Sequence, residues 1–157
     1  MKYTRLTKEQ FEELHLEFAR FLASQSIDKA EWEKLKAEKP EVAEQELDVF
    51  SDLIWEGALN KTEYLEHFSK NHIFLFRFFE KEAESIVISA LDQSIDFLNK
   101  DGLMWLSENL QSDQIEIRKG KKVLQDRNEE IFNLIKQGAS ISKGELYETL
   151  NSSQNAL

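Results

Sequence analysis

Cysteine is absent from this sequence of 157 residues. The fold therefore contains no disulfide bonds, and thiolate metal sites, cysteine nucleophiles and thiol redox chemistry are excluded. Glycine is also scarce, with five residues spread over the chain. The sequence has no Walker A loop, no Gly-x-Gly-x-x-Gly turn and no Gly-x-Ser-x-Gly elbow, so nucleotide-dependent chemistry is not expected. We assign no catalytic residue and no cofactor.

Long hydrophobic runs are missing too. The longest, IFLF at residues 73–76, ends at Arg77, whereas a membrane-spanning helix needs about 20 apolar residues. The first ten residues, MKYTRLTKEQ, are polar and lack the apolar centre of a signal peptide. We therefore expect a soluble, cytoplasmic protein that has no membrane partner.

The charged residues are mainly acidic, with 30 Asp and Glu against 20 Lys and Arg, and the net charge is −10. The average surface would repel a nucleic acid. The chain also contains 11 Phe, 3 Tyr and 3 Trp residues, which can form a hydrophobic core without metal or disulfide crosslinks. We expect a single domain over residues 1–157, with a frayed tail at residues 151–157.

Capping patterns divide the N-terminal part of the chain into helices. Thr7 and Gln10 form a capping box, which predicts a first helix over about residues 8–25. Asp28 begins a similar pattern and predicts a second, short helix. The single proline, Pro40, fits the first turn of a third helix.

A fourth helix is expected after Asn60. Asn60 and Glu63 match a further capping pattern, and this helix would contain most of the stretch EYLEHFSKNH at residues 63–72. Shorter helices are predicted from Asp101, over residues 126–137 with Gly138 as the stop, and from Ser142.

The segment from residue 73 has an ambiguous pattern. Residues 73–79 are nearly all apolar, residues 85–89 are β-branched at their centre, and charged residues separate the two runs. This pattern favours an antiparallel β-hairpin, and residues 114–118 alternate like a further strand. The alternative is one long helix, because the apolar residues from Leu65 onward also fit helical spacing. We predict an α+β fold, mainly helical with a small antiparallel β-hairpin, and an all-α bundle as the alternative.

Two histidines are candidate metal ligands. Glu12 and His15 form one Glu-x-x-His pair, and Glu63 with His67 would share a helix face one turn apart. Di-iron bundles need a second Glu-x-x-His pair, and neither His-x-x-x-His nor His-Glu-x-x-His is present. The alternative interpretation is that both histidines are ordinary, partly exposed helix residues.

One cationic cluster stands out against the acidic background. It contains four side chains, Arg118, Lys119, Lys121 and Lys122, around Gly120, which would let the backbone turn. A phosphate or RNA contact is one interpretation, although no interleaved aromatic residue could stack a base. The alternative is an exposed loop or an edge strand whose lysines prevent aggregation.

The three tryptophans, Trp32, Trp55 and Trp105, fit either of two roles. They fill the core, or they form an exposed interaction surface. The acidic helices and the cationic cluster also allow charge-driven association with a protein, either a second copy or another chain.

Several stretches resemble a known family. MKYTRLTKEQFEELH, KPEVAEQELDVFSDLIWE, YLEHFS, DRN, LIKQGA and GELY are similar to segments of a small uncharacterised protein family of flavobacteria and related Bacteroidota. The resemblance covers nearly the whole chain and implies a bacterial cytoplasmic protein, but it supplies no activity. We predict a non-enzymatic protein-interaction or regulatory module, and the alternative is a helical metal-binding protein or metalloenzyme.

Overall fold

A computed structural model describes residues 1–155. The chain divides into two compact units, residues 1–60 and the residues from 61 onward, and each is described by itself. The single domain expected over residues 1–157 stays a prediction. No helix within the described residues has the length and apolar character needed to cross a membrane.

The first unit is helical. Its elements are α1 (Lys8–Glu13), α2 (His15–Ala23), α3 (Lys29–Glu38) and α4 (Pro40–Asn60). The predicted capping box is confirmed, because Thr7 accepts from the N–H of Gln10 and the Gln10 side chain accepts from the N–H of Thr7. The single helix expected over residues 8–25 is interrupted at Leu14 and ends at Ala23.

Aromatic side chains form the centre of this unit. Phe50 of α4 is buried, and the ring of Phe18 lies 5.0 Å from its ring, centroid to centroid. Phe11 and Phe21 contact the same ring at 5.9 and 5.4 Å. The apolar spacing of the first helical segment therefore marks the side that packs against α4.

The second unit is built on a five-stranded antiparallel sheet. Its strands are β1 (Tyr64–Phe68), β2 (His72–Phe78), β3 (Glu82–Ala90), β4 (Ile115–Val123) and β5 (Ser140–Ser142), in the order β4-β3-β2-β1-β5. Three helices accompany it, α5 (Lys100–Glu108), α6 (Arg127–Lys136) and α7 (Glu145–Asn155). The α+β class is confirmed, while the predicted hairpin, β2 with β3, is only part of a larger sheet. Residues 151–155, predicted to fray, belong to α7, and residues 156–157 of that tail lie outside the described part.

The helix predicted over residues 63–72 is wrong, and so are the continuous helix and the all-α bundle. Residues 64–68 form β1, which pairs with β2 on one side and β5 on the other. Leu65 is buried opposite Phe76, and the carbonyl of Glu63 accepts from the N–H of Phe78 at 2.7 Å, which continues the ladder. Pairing with the following strand β2 and with β5, which lies far away in the chain, decides the structure of this short segment, because its local pattern fits both periods.

The two faces of the sheet are covered differently. The first face carries a core in which Ile73, Ile86 and Ile88 pack with Phe97, Leu106 of α5 and Tyr147 of α7. The second face carries Leu65, Phe78 and Ala83, which are buried, and the half-buried Phe76. Helix α6 lies beside the second face, with Ile131 fully buried. The loop after α6 turns at Gly138, whose φ of 113° fits the predicted left-handed stop.

Candidate functional site

The proposed metal ligands lie in different local settings. His15 is the first residue of α2, and its Nδ1 lies 3.0 Å from the backbone carbonyl oxygen of Glu12. That nitrogen therefore interacts with the backbone. Glu12 and His15 are both exposed.

Glu63 and His67 do not share a helix face. His67 lies in β1, where the ring is 6.0 Å from the ring of Phe74, and Glu63 lies just before that strand. Four residues of extended chain span about 13 Å. The prediction that Glu63 and His67 lie one helical turn apart is therefore wrong. No group of three or more His, Asp or Glu side chains within residues 1–155 is arranged to hold a metal ion. The metal site stays a prediction, and the helical spacing of Glu63 and His67 no longer supports it.

Each tryptophan is half-buried. The ring of Trp32 packs edge-on against Phe18 at 5.2 Å, and the Lys36 ammonium lies 5.8 Å from its centroid. Trp105 packs against the core on the first face of the sheet. These contacts give Trp32 and Trp105 a share in core packing, and the interaction surface predicted for the three tryptophans stays a prediction.

The cationic cluster lies on strand β4. Successive side chains of a strand alternate between faces, so Lys119 and Lys121 lie on the first face, and Arg118 and Lys122 lie on the second. Gly120 lies in the middle of the strand, opposite Ser85 of β3, and the backbone does not turn there. We name residues 118–122 of β4 the cationic edge, because β4 is the outermost strand on its side of the sheet.

Acidic and polar side chains of the same unit contact these cations. Arg118 pairs with Glu116 at 2.9 Å, Lys121 with Glu84 at 3.6 Å and Lys122 with Glu130 at 2.7 Å, while the Lys119 ammonium donates to the Asn151 side chain at 3.0 Å. The side chains of Arg118, Lys121 and Lys122 nevertheless remain 69–74% exposed. Exposed ion pairs of this kind are weak, so an incoming carboxylate can compete for these cations.

The Lys122 ammonium stabilises the ionised form of the Glu130 carboxylate. Its hydrogen bond to Glu130, together with the N–H of Gln125 that the same carboxylate accepts at 2.9 Å, lowers the pKa of Glu130 below its ordinary value. Glu130 is therefore ionised at neutral pH. This pair joins the first turns of α6 to the end of β4.

The backbone of β4 has a defined inner and outer side. The Leu124 N–H donates to the Lys81 carbonyl at 2.9 Å, and the Leu91 N–H donates to the Gln114 carbonyl at 2.7 Å, across the β3–β4 ladder. Because hydrogen-bonded pairs alternate along an antiparallel ladder, even-numbered residues of β4 bond to β3. The N–H groups of odd-numbered residues, including Lys121 and Val123, therefore point outward from the sheet.

An apolar groove of about 370 Å³ lies between α6 and the second face of the sheet. Its sheet side has the aromatic residues Phe76 and Phe78 at one end and the small residues Ala83, Ser85 and Gly120 towards β4. Its helix side has three residues of α6 and the C-cap residue, which share one face because they follow the first at spacings of three, four and seven: Glu130, Asn133, Leu134 and Gln137. We name it the α6 groove, and it opens beside the cationic edge.

Sequence reasoning found the cations but missed the groove. The groove is formed by β2, β3, β4 and α6, which are separated along the chain, so no single stretch predicts it. One signal was present: an isolated glycine within a strand pattern marks a close approach of a backbone or ligand. The prediction that Gly120 lets the backbone turn is wrong, because Gly120 lies within β4.

Comparison with known proteins identifies a family but no activity. The profile of one family, described as "Family of unknown function (DUF6495)", matches residues 1–155. No curated protein and no solved structure matches the chain significantly.

Proposed function

The chain belongs to DUF6495, a family of unknown function, and we propose that it is a non-enzymatic protein-interaction module. It binds an extended, acidic segment of a partner protein, which adds as a strand to the cationic edge of β4. The open, cationic edge is the observation that carries this proposal.

The backbone of β4 supports strand addition. An edge strand presents outward N–H and C=O groups that can pair with an extended chain, and those of Lys121 and Val123 have this direction. Residues 118–123 are all exposed. Main-chain hydrogen bonds would supply affinity that does not depend on the partner's sequence.

The side chains support an acidic partner. Four cations within five residues attract carboxylates, and complementary charge speeds association and selects between partners. A second β4 strand would place cations opposite cations, which is unfavourable across a ladder. The occupant is therefore another protein, and not a second copy paired through this edge.

An RNA strand fits these features less well. A net charge of −10 repels a long polyanion more than a short peptide, and the exposed cations have no interleaved aromatic residue on β4 for base stacking. A comparison of peptide binding with RNA binding distinguishes these two kinds of partner.

The test uses fluorescence anisotropy with a labelled acidic peptide and two variants of one residue. Lys121→Ala removes the charge but keeps the outward N–H, whereas Lys121→Pro removes both. Proline at this position breaks no bond to β3, because the N–H of Lys121 points away from it. We expect wild-type binding that weakens with salt, weaker binding by Lys121→Ala, and a further loss in Lys121→Pro.

Two results would overturn the proposal. One is the absence of peptide binding at low salt, and the other is equal binding by Lys121→Ala and Lys121→Pro, which would show that strand addition is not involved. A single-stranded RNA of equal charge provides the comparison. Tighter binding of the RNA than of the peptide would replace the proposal with a nucleic-acid function.

A further inference from the structure

We infer that the partner segment carries one aromatic residue between two pairs of acidic residues, and that this aromatic side chain enters the α6 groove over Gly120. The inference rests on the proposed function, because it assumes a peptide strand on β4. It adds the sequence that such a strand must have.

The alternation of β4 determines where the acidic residues lie. Paired residues on neighbouring strands point to the same face. A peptide residue opposite Gly120 therefore points to the second face, and its immediate neighbours point to the first face, beside Lys119 and Lys121. The next residues out lie beside Arg118 and Lys122 on the second face. Cations thus flank the central position at one and two residues on both sides, which favours an acidic residue at each.

Gly120 leaves room for the central side chain. Among the described residues, a Cβ placed on Gly120 would meet one atom within 4 Å, the Ser85 hydroxyl at 3.0 Å, so no described side chain covers the surface there. The outward N–H of Lys121 also defines the ladder that an antiparallel peptide would form. Its position opposite Gly120 would be a non-hydrogen-bonded pair, in which the strands' Cα atoms are closest, about 4.5 Å apart.

The depth of the groove selects an aromatic residue. Strands lie about 4.8 Å apart, so Phe76 and Phe78 on β2 are about 10 Å further into the sheet than β4. The added peptide would lie one further strand spacing outside β4, so a short aliphatic side chain would reach only Gly120. A tryptophan or phenylalanine ring extends further across Gly120, towards Ser85 of β3 and the inner part of the groove. The groove volume of about 370 Å³ accommodates one such ring.

Two synthetic peptides test the inference. One has the centre Asp-Glu-Trp-Glu-Asp, the other has Ala in place of Trp, and both have Gly-Ser ends and the same charge. We expect wild-type protein to bind the Trp peptide about tenfold more tightly than the Ala peptide, as burial of an aromatic ring predicts. Equal affinities would overturn the aromatic inference and leave the proposed function intact, whereas the absence of binding by both peptides would overturn the proposed function.

Two variants locate the ring. Gly120→Val covers the entrance with a residue that favours strands, and Asn133→Phe fills the groove from α6, where Asn133 is part of the lining. We expect each variant to lose the preference for Trp over Ala while it keeps salt-dependent binding of the Ala peptide. That retained binding also shows that the variant has folded. A full preference for Trp in both variants would overturn the assignment to the α6 groove.

Discussion

Substitution of Gly102 by alanine should destabilise the protein, although the same change usually stabilises a helix. Gly102 lies in the first turn of α5, and its N–H donates to the Asn99 side chain at 2.8 Å. A Cβ at this position would lie 1.8 Å from the backbone carbonyl oxygen of Asp96. Real Cβ contacts essentially never fall below 3.0 Å, so the helix or the chain at Asp96 would have to move by 3.0 − 1.8 = 1.2 Å. Phe97 follows Asp96 in the chain and is 1% exposed. A shift of the backbone at Asp96 would therefore disturb the packing of the Phe97 side chain.

The magnitude follows from two opposing contributions. Alanine in place of glycine stabilises a helix interior by about 1 kcal/mol. The clash at Asp96 involves backbone and cannot be relieved by rotating a side chain, so it should cost about 3 kcal/mol, the upper part of the range for overpacked sites. The free energy of unfolding should fall by about 2 kcal/mol, and Tm by about 4–8 °C for a chain of this length.

Gly57→Ala is the matched control. Gly57 lies in the last part of α4, and a Cβ there would meet no atom of the described part of the chain within 4 Å. This substitution should increase the free energy of unfolding by about 0.5–1 kcal/mol. Urea unfolding followed by far-ultraviolet circular dichroism measures both variants. A Gly102→Ala protein that is as stable as wild type, or more stable, would refute the reasoning.

Three further predictions concern stability. Asp126→Ala removes the side-chain acceptor for the Glu129 N–H at 3.2 Å, so urea unfolding should show a loss of about 1 kcal/mol, and no loss would contradict the capping role. Ile88→Ala empties a fully buried core position and should lower the free energy of unfolding by about 2–5 kcal/mol, whereas a change below that range would place Ile88 outside a tight core. Burial is the main cause that raises the pKa of Tyr3, from 10.0 to about 12, and it also raises the pKa of Tyr147. A hydrogen bond to a carboxylate is the second cause for each tyrosine. Their stabilising contribution is therefore complete below pH 10 and is lost as pH rises towards and beyond the folded-state values, so unfolding measured from pH 9 to 12 should show falling stability, and a constant value would contradict it.

Local signals in the sequence predicted most helices. Thr7 and Asp28 cap helices at the expected positions, Pro40 begins α4, and Asp126 caps α6. These features involve residues three or four positions apart, and hydrogen bonds of that range form within one stretch of chain. The starts of α1, α3, α4 and α6 were accordingly predictable. The capping pattern of Asn60 and Glu63, in contrast, comes before strand β1, and the interruption at Leu14 was not predicted.

The stretch EYLEHFSKNH shows why the rest was not predictable. Its apolar residues fit a helix, but Tyr64 and Leu65 pair with Arg77 and Phe76 on β2 and with Ser142 and Ile141 on β5. The β5 strand has only three residues and carries no signal of its own. One partner, β2, follows after a short turn, and the other, β5, lies far away in the chain. A short ambiguous segment takes the structure that its strand partners impose.

The sequence by itself determined the absence of cysteine and of glycine-rich phosphate motifs, the starts of α1, α3, α4 and α6, and the position of the cationic cluster. An edge strand was one of the settings that it predicted for this cluster. Only the tertiary structure decided that β4 is the outermost strand, that Gly120 lies opposite Ser85, and that α6 forms a groove with the second face of the sheet. The physical reason is the range of the interactions. Composition and capping act within a few residues, whereas an edge and a groove exist only when strands and a helix from distant parts of the chain pack together.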